Sequence, residues 1–182
     1  MSDIARALEW ICNSSAGNEL KIKLVVLDYL QRIRPDPQDG GDRREQVMEI
    51  VNRAKDCALS FGCTTLLGVQ AKREVSDRDI KIPRQSDAQE SSNVEQTSDK
   101  IISLWYPWKT EKANSTVKTL RIHPHLETTE KAAKFTQETW KVTENLLLVG
   151  IPKQKMGPIV EAVPVYVNPA KNQYANMFTG GP

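Results

Sequence analysis

The sequence predicts an α/β fold: a mostly parallel sheet with helices, ending in a β-hairpin. Three observations carry that expectation. Lys23-Leu24-Val25-Val26-Leu27 is a nearly continuous aliphatic run that stops abruptly on Asp28, the pattern of a strand buried on both faces. A helical stripe and a second aliphatic strand follow, which makes a β-α-β unit whose crossover should be right-handed. Two further apolar segments flank Met156-Gly157-Pro158, the spacing of a hairpin.

Each element has a local reason. Residues 1–13 read as a short amphipathic helix, with Ile4, Ala7, Leu8 and Ile11 at helical spacing, and residues 14–18 break it. A loop runs from Arg34-Pro35-Asp36-Pro37 to Gly40-Gly41. Asp42, with Glu45 three residues on, has the capping-box pattern in which the acid accepts from backbone N–H groups at a helix start. The helix it opens carries Val47, Ile50, Val51, Ala54, Ala58 and Phe61 on one stripe, and Gly62 stands where a left-handed cap belongs. Residues 64–69 form the next strand, closed by Gln70. Residues 71–99 are almost wholly polar, a length that marks a functional or disordered loop, with a short helix expected over 87–96. Residues 100–106 and 145–151 read as the third and fourth strands, with a helical-looking segment over 129–141 between them. Residues 159–167 read as the fifth strand.

Composition narrows the function classes. The 182 residues are 39% apolar and 26% charged with a net charge of +2, which suits one domain with a sizeable core and names no acidic partner. Residues 101–182 carry 10 basic and 6 acidic side chains, a mild excess that permits a phosphate-facing surface. The longest aliphatic runs fall far short of the roughly 18 residues of a membrane helix. Met1 opens a polar helical pattern rather than a secretory leader. Three cysteines, Cys12, Cys57 and Cys63, are odd in number and thinly spread, so a reducing cytoplasm is expected.

In an open parallel sheet, ligands bind beyond the carboxyl ends of the strands. Asp28 and Gln70 each stand at such an end. An acid there is how nucleotide hydrolases hold Mg²⁺, although acids also end apolar strands merely to cap a loop. Lys72, Arg73, Arg78, Lys81 and Arg84 make a basic loop interleaved with Glu74, Asp77 and Asp79, either phosphate-tracking or simply solvated. Trp105, Tyr106 and Trp108 offer stacking surfaces for bases, but aromatics at a strand end more commonly pack. His123 and His125 lack a cysteine or acid at ligand spacing and read as surface loop. Cys57 and Cys63 read as small buried hydrophobes.

Leu24-Val25-Val26-Leu27-Asp28-Tyr29-Leu30-Gln31 resembles the Walker B segment of DnaB-type replicative helicases. The likeness continues in order. Residues 44–59 are similar to that family's next helix, and Leu66-Leu67-Gly68-Val69-Gln70-Ala71-Lys72-Arg73 resembles its strand ending in Gln. Residues 86–99, from Ser86-Asp87-Ala88-Gln89-Glu90-Ser91-Ser92 onward, resemble its DNA-loop segment. Leu146 to Val149 and then Lys153-Gln154-Lys155-Met156-Gly157-Pro158 resemble its strand and Lys-Gln-Arg-Asn-Gly-Pro hairpin.

The resemblance implies a three-layer RecA-like fold of the P-loop NTPase type, incomplete at the N-terminal side. Residues 1–167 would be the C-terminal part of the helicase ATPase domain, and 168–182 a loose tail. It implies ATP and Mg²⁺, with Asp28 holding the metal through water and Gln70 sensing the γ-phosphate. Lys153 and Lys155 would reach the ATP site of the neighbouring subunit in a homo-hexameric ring. Single-stranded DNA would run along Gln89, Glu90 and Ser92; apart from the resemblance, Arg73 and Arg84 are the expected phosphate contacts if the basic loop tracks a strand rather than being simply solvated. The implied activity is ATP-driven movement along single-stranded DNA in replication, without a membrane.

Three departures qualify it. None of the nine glycines is followed by Lys, so no Gly-x-x-x-x-Gly-Lys-[Ser/Thr] is present, and the family's catalytic Glu lies upstream of Walker B; this chain alone is expected not to hydrolyse ATP. Lys155 replaces an arginine, supplying charge without the planar fork. Gln89 stands where the family usually has arginine. The rival expectation is a non-catalytic helicase-like module that binds DNA or a helicase ring; a RecA-type recombinase fits the hairpin less well.

Overall fold

The structure is a computed structural model that describes residues 2–14, 21–35, 41–89, 92–122 and 135–176. The expected break at 15–18, the 36–40 part of the first loop, Glu90, His123 and His125 lie outside these residues. The chain divides into two compact units. One comprises Met1–Ala71 and Ala88–Ser98, the other Lys72–Asp87 and Asp99–Pro182.

In the first unit, helix α1 (Ser2–Ser14) precedes β1 (Leu24–Leu27), α2 (Arg43–Ser60), β2 (Thr64–Leu67) and α3 (Ser92–Thr97). β1 and β2 pair in parallel, Leu27 opposite Leu67. Local chemistry fixes the ends of α2. The Asp42 carboxylate accepts from Glu45 N–H at 2.9 Å while Glu45 accepts from Asp42 N–H at 3.2 Å, the expected reciprocal cap. At the other end Gly62 takes φ +57. Its N–H bonds to Leu59 O, and that of Cys63 bonds to Ala58 O, which is a Schellman cap. Val47, Ile50, Val51, Ala54 and Cys57 of α2 are buried. Leu8 of α1 joins Val25, Leu27, Ala54 and Cys57 in one core cluster, and Val94 of α3 joins Leu30, Val47, Ile50 and Val51 in another. The Cys57 thiol is pushed up by burial and then by nearby Cys63, as befits a packing residue.

One expectation for β1 fails. Val25 and Leu27 are buried, but Leu24, Val26 and Leu66 are half exposed or more, so the aliphatic run is covered on one face only. Side chains alternate along a strand, and the described elements of this unit cover one side.

The second unit is antiparallel. β3 (Lys100–Trp105), β6 (Leu146–Gln154), β7 (Val160–Asn168) and β8 (Gln173–Asn176) form a sheet in the order β3-β6-β7-β8, and β4 (Thr116–Ile122) pairs with β5 (Phe135–Lys141). The expected hairpin of the fourth and fifth strands is β6–β7. Both kinds of pairing are thus present in separate sheets, parallel at β1–β2 and antiparallel after it. A short bend between β6 and β7 permits nothing else, since a parallel return needs a long crossover.

Two expectations are corrected here. The helical-looking segment over 129–141 is strand β5 from Phe135 on, paired along its whole length with β4. Threonine and aromatic side chains fit a pleated surface once a partner is beside them, and Trp140 donates to Thr119 Oγ1 at 3.0 Å across the pair. The loose tail over 168–182 contains β8. Pro169 starts a turn that Asn172 closes at φ 51, a conformation asparagine tolerates, and the reversed chain pairs with β7. Trp105, Val117, Val142, Leu146, Leu148 and Ala162 form this unit's core with Ile82.

Candidate functional site

Parallel register brings the carboxyl ends of β1 and β2 together. Asp28 directly follows β1. Beyond the strands the pairing continues, with Gly68 N–H donating to Leu27 O at 2.9 Å and Leu30 N–H to Gly68 O at 2.8 Å. The Asp28–Tyr29 peptide is cis. A Cβ on Gly68 would lie 3.2 Å from Tyr29 Cβ and 3.5 Å from Asp28 Oδ1, so glycine permits the close approach at this edge. Gln70 follows two residues later, and its N–H donates to the Gln31 side-chain carbonyl at 3.4 Å.

The Asp28 carboxylate is exposed, and no hydrogen bond or ion pair engages it among the described residues. No group of three potential ligands surrounds it among those residues. A single bare carboxylate suits Mg²⁺, which keeps most of its waters and takes its remaining ligands from phosphates.

Gln70 also reaches the loop. Its carbonyl accepts from Gln89 N–H at 2.9 Å, and Ala71 bridges Ala88. Gln89 is half-buried, while Ser92 opens α3. Asp28, Gln70, Gln89 and Ser92 therefore belong to the first unit. Arg73, Arg84, Lys153 and Lys155 belong to the second.

In the second unit the basic loop sorts its five cations. Arg78 pairs with Asp87 through both guanidinium nitrogens at 2.7 Å each. Lys81 pairs with Glu111 at 2.6 Å, and Lys72 Nζ donates to Ser86 O at 2.9 Å. Arg73 and Arg84 are exposed, and neither guanidinium group has a hydrogen-bond or ion-pair partner among the described residues. Burial would raise the Asp87 carboxyl, but the hydrogen bonds from Arg78 and Arg84 N–H outweigh it and hold it below its ordinary value.

At the hairpin, Lys153 lies opposite Ile101 near the end of β6. Residues two apart on one strand share a face, but Lys155 falls one residue past the end of β6, so that rule does not hold the two lysines together. Lys155 Nζ instead pairs with Asp99 Oδ1 at 2.6 Å, and its N–H donates to Asp99 O at 3.0 Å. Trp105 is buried and donates to Thr110 Oγ1 at 3.1 Å, a packing residue; Trp108 is 42% exposed. Sequence reasoning assigned no role to Gln31, Asp87 or Asp99. All three lie within stretches that carry the family resemblance, but nothing in the sequence sets them apart from their neighbours there.

A parallel β-α-β unit with an acid and an amide beyond its strand ends, followed by antiparallel strands, makes this an α/β chain with a polar site at the carboxyl edge of its parallel pair. Two solved structures share the fold. One is a DnaB-like replicative helicase described with its interactions with primase, with a TM-score of 0.68 at 22% identity over 96% of this chain and 34% of that one. The other is the ATPase domain of G40P, with a TM-score of 0.67 at 22% identity over 96% of this chain and 50% of that one. The DnaB-like helicase C-terminal domain family matches residues 5–176, and the chain belongs to that family. It is 33% identical over 84 residues to a probable replicative DNA helicase of Trieres chinensis, covering 46% of this chain and 18% of that protein. It is 30% identical over 100 residues to the replicative DNA helicase DnaC of Bacillus subtilis (strain 168), covering 53% and 22%. The chain thus spans about a fifth of the length of the curated relatives it matches. Among the described residues no helix is long and apolar enough to cross a membrane.

Proposed function

We propose that this chain serves a cytoplasmic, ring-forming replicative DNA helicase, supplying the part of its ATPase domain that couples nucleotide state to single-stranded DNA. The observation that carries the reading is the hydrogen bond from Gln89 N–H to Gln70 O. It ties the strand end beside Asp28 to the segment resembling the family's DNA loop, so a shift at one end moves the other. Asp28 would hold Mg²⁺ through water, and the metal would neutralise charge developing on the transferring phosphate. Gln70 would accept or donate at the γ-phosphate. Lys153 and Lys155 would serve the site of the neighbouring subunit in a homo-hexamer, Lys155 leaving Asp99 to do so. Arg73, Arg84, Gln89, Glu90 and Ser92 would contact the DNA backbone.

The test joins this segment to the P-loop-bearing part of a DnaB-like relative. Restored ATP hydrolysis that Asp28→Asn removes supports the reading. A ring that assembles and binds nucleotide yet never hydrolyses it, with Asp28 intact, would leave a non-catalytic module instead.

A further inference from the structure

Asp87 is the best-buried charged side chain among the described residues, with a relative exposure of 1%, and the proposed function gives it no task. Its contacts reach the start, middle and end of the basic segment of the second unit. The backbone carbonyl accepts from Lys72 N–H at 2.8 Å at the segment's start. The carboxylate takes Arg78 in a bidentate pair in the middle. The same carboxylate accepts from Arg84 N–H at 2.8 Å, while Asp87 N–H donates to Arg84 O at 3.1 Å. Arg73 is the neighbour of Lys72 in sequence. One residue therefore ties down the backbone at Arg84 and beside Arg73, the two arginines whose guanidinium groups have no partner among the described residues.

We infer that Asp87 is the positioning residue of a single-stranded nucleic-acid backbone contact made by Arg73 and Arg84. The inference rests on the proposed reading of this loop as DNA-facing. Its physical core is a division of labour among cations. Bidentate pairing fixes the Arg78 guanidinium as a strut, and the backbone bonds fix the distance between the other two. Two phosphate-binding arginines at a set distance lose less conformational entropy on engaging a strand than two loose ones.

Charge makes the inference testable, because the bland alternative gives the opposite sign. Asp87→Asn removes a negative charge from a basic loop. If the loop acts only through its net charge, affinity for single strands rises and the salt dependence steepens. If Asp87 positions the arginines, affinity falls and the dependence flattens. Each lost phosphate contact removes about 0.7 from the slope of log affinity against log salt, which is about fivefold in affinity near 0.1 M salt.

The experiment is fluorescence anisotropy of the purified chain with a labelled oligothymidine across several salt concentrations, with circular dichroism as a folding check. The expected result is Asp87→Asn binding about fivefold more weakly, with a flatter slope approaching that of Arg73→Ala/Arg84→Ala. Should Asp87→Asn fail to fold, Arg78→Lys decides. It keeps the charge and loses the fork, so positioning demands weaker binding and net charge demands none. Equal or tighter binding by a folded Asp87→Asn, or parent-like binding by Arg78→Lys, overturns the inference while the double-arginine effect upholds the DNA-facing loop. A parent that shows no salt-dependent binding, or a double-arginine variant with the parent's slope, overturns the loop reading and the inference together.

Discussion

Two carboxylates mark two regions of this molecule, and they are opposites. Asp28, beyond β1, is exposed and engaged by nothing among the described residues. Asp87, in the loop of the second unit, is buried and holds both nitrogens of a guanidinium and a backbone N–H. Sequence marks Asp28, which ends an aliphatic run, but gives Asp87, set among polar residues, no mark of its own. Their surroundings tell them apart. An acid that serves a ligand must keep its oxygens free until the ligand arrives, whereas an acid that serves the fold must be saturated or its burial is ruinous.

The contrast breaks first on stability. Asp87→Ala should destabilise the chain by about 3 kcal/mol, the low end for breaking a buried pair because Arg78 can still reach water, whereas Asp28→Ala should stay within about 0.5 kcal/mol. Urea titration of both variants measures the difference. Acid sharpens it. The Asp87 carboxyl is held below its ordinary value in the fold, so its contribution is fully present above the ordinary carboxylate range and drains as pH falls through that range to the lowered value. The gap in melting temperature between the parent and Asp87→Asn should therefore narrow on acidification; a gap that widened would refute the assignment.

A smaller effect tests the bare region. Gly68→Ala pushes a methyl to 3.2 Å from Tyr29 Cβ, tighter than ordinary contact. A cost of about 1 kcal/mol is expected, at the low end for overpacking, together with a displaced Asp28 loop visible in amide chemical shifts. The smallest effect belongs to the hairpin. Lys155 and Asp99 are both about half exposed, and exposed pairs contribute roughly 0.2–1 kcal/mol. Asp99→Ala should thus barely move the urea midpoint, and a loss well above that range would mean the pair organises the hairpin.

Features written within a few residues were legible in the sequence. Asp42 and Glu45 cap α2, and Gly62 ends it, because each needs only its own turn of helix. The β-α-β unit was legible from two aliphatic runs around a helical stripe, and the β6–β7 hairpin because a short connection leaves few topologies. Residues 135–141 were misread because threonine, glutamine and lysine suit either state until β4 supplies a partner. Residues 173–176 were missed likewise, their pairing depending on β7. At the candidate site, Asp28 and Gln70 were read from their place at strand ends, but Asp87 was not. Its meaning lies in Lys72, Arg78 and Arg84, which reach it only after the loop has folded back.

The hydrogen bond from Gln89 to Gln70 turns one backbone amide into a reporter. While the bond holds, the Gln89 proton is shielded and exchanges with solvent deuterium only when this junction opens. Its exchange rate, compared with those of the interior amides of α2, measures the free energy of that local opening against the stability of the helix beside it. Followed residue by residue as ligands are added, the same proton registers whether the two segments part or tighten, in a chain that need not turn over anything.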